Sequence, residues 1–228
     1  MEKFLKNILL SSLVWLFVPA IAMSRYREPP TFYLDLQYGL STTKSKLVGS
    51  NDTGSSLRYG LGSYAGRDGQ FGFRLFGSVE QTRFELNDSL IQSQWQDTML
   101  SYFFGYFYLS VMLSRVEIKV KEQGLDILDA AGSGYGFGGG MHFTVGKSNL
   151  IYFDVFQVSV AELKNTLEQK ASIPQRMELD LGARIAIWER WLDLNFGFRM
   201  QQLGYKTIAN FRDASHATYL GWRFSLYF

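Results

Sequence analysis

The chain has 228 residues, with 23 Lys and Arg against 21 Asp and Glu and a formal net charge of +2. That near-balance leaves no electrostatic footprint for nucleic acid, and 46% hydrophobic residues with 19% charged ones exclude a disordered chain. The absence of cysteine excludes disulfides, thiolate metal sites, iron–sulfur clusters and cysteine nucleophiles, and two histidines leave little for a histidine-rich metal site, so no metal or cofactor is expected.

Residues 1–22 read as a secretory signal peptide. Lys3 and Lys6 supply the positive start, Ile8 to Val18 the apolar stretch, and Ala20-Ile21-Ala22 the small-x-small cleavage pattern. The alternative is a membrane anchor, but an apolar run of about 11 residues falls short of the roughly 20 that a spanning helix needs. Residues 23–30 are expected to form a short N-terminal periplasmic segment, and 31–228 a single all-β unit.

From Thr31 onward the patterning has period two. Phe32, Leu34, Leu36, Tyr38 and Leu40 alternate with Tyr33, Asp35, Gln37 and Gly39. The same alternation recurs around Leu57–Leu61, Phe71–Val79, Met177–Ile187, Leu192–Met200 and Leu220–Phe228. A soluble sandwich also alternates. Several of these runs, however, match the 9–11 residues of a membrane-crossing strand rather than the ordinary length of about 5–6. Thr98 to Ser114 is nearly continuous in apolar residues and admits a membrane helix; its Phe and Tyr content and central Gly105 favour two strands turning near Gly105–Leu109. The prolines fit, since Pro29 and Pro30 precede the first strand and Pro174 is expected in a loop.

The expected strands are 31–41, 55–65, 70–84, 95–105, 109–121, 135–146, 150–162, 175–187, 191–203 and 217–228. Long connections at 42–54, 85–94, 122–134, 163–174 and 204–216 alternate with short ones such as Gly66–Gly69, Lys147–Asn149 and Trp188–Arg190. Even parity with long and short connections in alternation predicts an antiparallel up-and-down transmembrane β-barrel of ten strands, with eight as the alternative. Tyr64, Tyr106, Phe107, Tyr108, Tyr152, Trp188, Trp191 and Tyr227 crowd the short-turn side, where an aromatic girdle is expected.

The tail from Tyr219 to Phe228 resembles the terminal strand of small bacterial outer-membrane β-barrel proteins. These end in Phe after apolar residues at every second position. The resemblance implies a location in the bacterial outer membrane, Phe228 as an assembly signal, and the lipid bilayer and the barrel assembly machinery as partners. A monomer and no nucleic-acid partner are expected; an extracellular ligand is not identified.

The alternation also sorts the charges. Arg58, Arg74, Arg115, Lys119, Arg184, Arg199 and Arg223 are expected inward, against Asp35, Glu80, Glu117, Asp154, Glu178, Asp180 and Asp193. Burying a charge is costly unless it is paired, so this balanced set reads as a salt-bridged lumen, with Tyr33, Phe76 and Phe103 adding bulk. A narrow water-filled pore is the alternative. Gly134, Gly136, Gly138 and Gly140 share one face. They open no helix after a strand, so they are not a nucleotide loop; they are expected to leave room for long arginine side chains. His142 reads as a structural lumenal histidine. His216 with Asp213 at the rim is the candidate catalytic pair of a third reading, an outer-membrane hydrolase, with Asp126 and Asp129 nearby in that arrangement. A structural or surface-interaction role is the leading expectation.

Overall fold

The computed structural model describes residues 29–227 except 46–49, 68–70, 87–88, 147, 166–169, 189–190 and 207–210. The expected signal peptide, most of the 23–30 segment and Phe228 lie outside the described residues. Ten strands follow one another: β1 (Phe32–Ser45), β2 (Ser50–Arg67), β3 (Phe71–Leu86), β4 (Ser89–Phe104), β5 (Phe107–Glu122), β6 (Leu125–Val145), β7 (Asn149–Asn165), β8 (Lys170–Trp188), β9 (Leu192–Lys206) and β10 (Phe211–Leu226). Each pairs antiparallel with its neighbours in sequence. β1 closes onto β10 from Phe32↔Leu226 to Lys44↔Ala214. The sheet therefore has no free edge, and every strand finds its ladder partners within the wall.

The alternation decides which face is which. On β1, Phe32, Leu34, Leu36, Tyr38 and Leu40 point outward and exposed, while Tyr33, Asp35 and Gln37 are buried inside. On β10, Leu220, Trp222, Phe224 and Leu226 are outward, and Tyr219, Arg223 and Ser225 inward. This reverses a soluble core, in which the apolar face is the inner one. The eight residue steps from Phe32 to Leu40 rise roughly 26 Å at about 3.3 Å per residue. At a tilt of about 40° this is roughly 20 Å along the membrane normal, close to the ~25 Å apolar band of such barrels.

Four features differ from the sequence expectation. The long connections are mostly strand: β5 and β6 continue to a turn at Gln123-Gly124, where both residues have positive φ (50° and 81°). Above the band the outer face turns polar, as in Gln81 and Arg83 of β3 and Arg115 and Lys119 of β5, so the apolar alternation fades while the ladder goes on. The turn between β4 and β5 is tighter than expected and takes only Gly105 and Tyr106, with Gly105 at φ 69°. Pro174 lies within β8 rather than in a loop. The pairing of β8 with β9 skips from Ser172 to Gln175 there, so a residue without an N–H sits where the ladder is already interrupted. The aromatic girdle is also composed differently. Trp188, Trp191 and Phe107 face outward, joined by Phe71, Phe73, Tyr102 and Phe104, whereas Tyr108 and Tyr152 are buried inside and Tyr64 packs against the inner cluster.

Candidate functional site

The interior of the barrel is filled by side chains in three levels. At the level nearest the chain termini, Tyr33, Phe103, Tyr108 and His142 surround Arg74, Arg184 and Arg223. The guanidiniums lie against rings: Arg223 is 4.0 Å from the Tyr33 centroid, Arg74 4.7 Å from Tyr108, and Arg184 4.9 Å from Tyr152. Arg223 is paired with Asp35, and His142 Nε2 lies 3.2 Å from Asp154 Oδ1.

The middle level is an ion-pair network tied across the lumen. Arg199 Nη1 reaches Glu80 at 3.1 Å, its Nη2 reaches Asp180 at 2.9 Å, and its Nε lies 3.4 Å from Glu178. Arg199 Nη2 also donates to Gln37 at 2.8 Å. Arg58 pairs with Glu178 at 3.2 Å. Arg176 grips Asp97 with two bonds of 3.1 and 3.0 Å, reaches Glu178 at 2.7 Å, and rests 4.1 Å over the Trp95 ring. The Tyr219 hydroxyl donates to Asp180 at 2.7 Å. These bonds join β1, β2, β3, β4, β8, β9 and β10. Every inward cation named here is arginine, whose planar fork serves several carboxylates at once and is more weakly hydrated than an ammonium. Such a network tolerates burial only because its members are mutually paired.

The upper level is apolar. Trp95, Val116, Ile118, Val120, Val158, Val160, Leu163 and Ile173 form one buried cluster across β4, β5, β7 and β8. It caps the ionic level from the side opposite the termini.

Arg58, Arg74, Arg184, Arg199, Arg223, Asp35, Glu80, Asp154, Glu178, Asp180 and Asp193 all stand on the inner face. Arg115, Glu117 and Lys119 do not, which corrects the expectation. They lie on the outer face above the band, where Arg115 pairs with Glu117 at 3.0 Å and Lys119 with Asp129 at 3.7 Å. The cause is strand parity. Leu109, Val111 and Leu113 of β5 face outward, and without a bulge the same parity carries Arg115, Glu117 and Lys119 outward too. Val116, Ile118 and Val120 thereby turn inward and build the apolar cap.

Sequence reasoning missed Asp97 and Arg176, although the signal was present. Arg176 has the parity of Glu178 and Asp180, and Asp97 the parity opposite to lipid-facing Leu100, Tyr102 and Phe104. The glycines of β6 also act differently from expectation. A Cβ on Gly138 would meet Phe156 at 2.2 Å, and one on Gly136 the Gln157 carbonyl at 2.3 Å and Val158 at 2.8 Å. The space is taken by the close-lying β7 backbone and its side chains, not by arginines.

His216 points outward and stacks on Phe198 at 5.9 Å. Asp213, three residues away on an uninterrupted stretch of β10, occupies a position on the opposite face; its side chain lies outside the described residues. Asp126 is paired with Lys121 at 3.3 Å on the far side of the barrel. Among the described residues no group of acidic or histidine side chains has the arrangement of a metal site.

A closed antiparallel barrel with a lipid-facing apolar band and a polar interior is one of the two backbone architectures that can cross a bilayer. The chain has the architecture of a transmembrane β-barrel of the outer-membrane type. No protein-family model matches the sequence, and no curated protein matches it. Solved structures similar to it include Neisserial surface protein A (14% identity, TM-score 0.44, covering 88% of this chain and 100% of that one). The β domain of the Bordetella autotransporter BrkA is similar at 13% identity and TM-score 0.47, covering 87% and 100%. The translocator domain of the autotransporter NalP from Neisseria meningitidis is similar at 11% identity and TM-score 0.41, covering 96% and 98%.

Proposed function

We propose that this protein is a closed, monomeric outer-membrane barrel with a structural or surface-interaction role, its upper hairpins presented to the outside. The observation that carries this reading is the filled lumen. Among the described residues, the apolar cap and the arginine–carboxylate network leave small inner cavities, of ≈ 90 Å³ and ≈ 40 Å³. A water molecule needs roughly 10–15 Å³ of such volume, so these hold a few waters each and form no continuous path for a hydrated solute.

The unequal ends support the orientation. The apolar band begins near the termini, while the opposite ends of β3, β4, β5 and β6 project beyond it with a polar outer face. Short ends belong to the periplasm and longer ones to the exterior. The barrel assembly machinery is the partner implied for insertion, with Phe228 as its signal. Liposome swelling tests the reading. Vesicles carrying the refolded protein should swell in small sugars no faster than protein-free vesicles; swelling graded by solute size would replace the closed barrel with the narrow-pore reading.

A further inference from the structure

The cavity at the terminal end of the lumen is unlike the rest of the interior. Arg74, Arg184 and Arg223 line it together with His142 and Asp193, and Asp193 is the acidic residue among its described lining. Arg223 is committed to Asp35. Arg74 and Arg184 are each more than nine-tenths buried, and the Nε of each is buried with no hydrogen-bond partner. Arg74 makes one long bond, from Nη2 to Ser101 at 3.4 Å. The flat faces of these guanidiniums are covered by aromatic rings. What remains is their N–H edges, which donate and cannot accept.

In the middle level Arg176 also has an unpartnered Nε, but there the Nη groups of Arg176 and Arg199 meet carboxylates, which, among the described residues, those of Arg74 and Arg184 do not. A buried guanidinium edge without an acceptor is costly, and the planar fork suits the two oxygens of a carboxylate or phosphate. The cavity volume of ≈ 90 Å³ takes such a group with accompanying water, and Pro29, Pro30 and Gly105 frame its open side. The second cavity, of ≈ 40 Å³, also touches Arg74, Arg184 and Arg223 from above. The three arginines thus form a floor between the two cavities, and a ligand entering from the terminal end meets them first.

We propose that this mouth is an anion-binding site, in which Arg74 and Arg184, beside the Asp35-paired Arg223, hold a small carboxylate or phosphate group entering from the periplasmic side. Binding there is compatible with a closed lumen, because the ligand enters and leaves by the same end. The cation set comes from β3, β8 and β10, so a bound anion also ties these three strands together across the lumen.

The test is equilibrium dialysis of the refolded full barrel in detergent against radiolabelled inorganic phosphate, and separately acetate, at constant ionic strength set with chloride. Saturable binding of one anion per barrel is expected, weakened at least tenfold in Arg184→Gln. Leu150→Trp, which fills the cavity from the position paired with Arg184 without removing a charge, should weaken it as well and guards against a folding defect in the arginine variant; heat-modifiable migration checks that both fold. Titration with a phosphate-headgroup lipid in place of the free ions separates the two sources. Competition by that lipid at the same site assigns a headgroup, and its absence a soluble anion. Equal binding by the wild type and both variants, or no binding beyond that of chloride, would overturn the proposal. So would a wild type that binds nothing while Glu28→Gln is destabilised, since the chain's own carboxylate just before Pro29 would then supply the counter-charge.

Discussion

Replacing Arg199 with alanine probes the ionic level most sharply. Arg199 is 3% exposed and serves Glu80, Asp180, Glu178 and Gln37. Its carboxylates do not lose equally. Glu178 keeps Arg58 at 3.2 Å and Arg176 at 2.7 Å, and Asp180 keeps the Tyr219 hydroxyl at 2.7 Å. Glu80 keeps the least, because its other oxygen, Oε2, is already buried without a partner. The substitution therefore strands essentially one charge in the lumen, and breaking a buried pair in this way costs about 3–5 kcal/mol. At roughly 2–4 °C per kcal/mol for a chain of this size, the thermal midpoint should fall by roughly 6–20 °C.

Heat-modifiable migration in gels and urea unfolding in lipid vesicles measure it. Arg199→Ala combined with Glu80→Gln should recover about 1–3 kcal/mol, because the stranded charge is removed as well. Arg83→Ala is the control, since its partner Glu85 and Arg83 itself are both exposed outside the lumen; it should change stability by less than about 0.5 kcal/mol. A loss below about 1 kcal/mol for Arg199→Ala, or strict additivity in the double variant, would refute a paired, desolvated network.

Three further outcomes follow from the geometry. Gly138→Val should prevent recovery of folded barrel in refolding assays, because its Cβ would collide with Phe156, whereas Gly77→Ala should refold normally because nothing lies within 4 Å of a Cβ there. Val160→Asp, placing an unpaired carboxyl in the fully buried cap, should cost several kcal/mol in urea unfolding; a neutral effect would mean that the cap is wet. The chain has no cysteine, so single substitutions report orientation directly. Leu125→Cys, in the upper β5–β6 hairpin, should react with a membrane-impermeant maleimide on intact cells, and Trp188→Cys only after the outer membrane is opened; the reverse pattern would invert the barrel.

The wall of this barrel was legible where its strands alternate without a register shift within the apolar band. β1 and β9 each carry five outward apolar residues in phase and β10 carries four, and the inward set from Asp35 to Arg223 follows from the same parity. Legibility failed where the solvent changes along a strand. On β5 the outer face passes from Leu113 to Arg115 as it leaves the apolar band, so polarity no longer marks the inside, and only parity carried up from Leu109 assigns Glu117 and Lys119 correctly. The upper hairpins read as loops for the same reason. Pro174 was misplaced because a bulge admits what an unbroken ladder forbids. The pairing of charges was beyond reach: Arg176 with Asp97 spans 79 residues of sequence, and Arg199 with Glu80 spans 119, separations that only closure of the sheet resolves.

Single-channel recording from the pure refolded protein in a planar bilayer tests the filled lumen most directly. With the apolar cap above the arginine network, insertion should leave the membrane at its baseline conductance, apart from brief irregular events. Stable, ion-selective steps that recur with each insertion would mean that water and ions pass between these side chains, and would contradict the closed barrel.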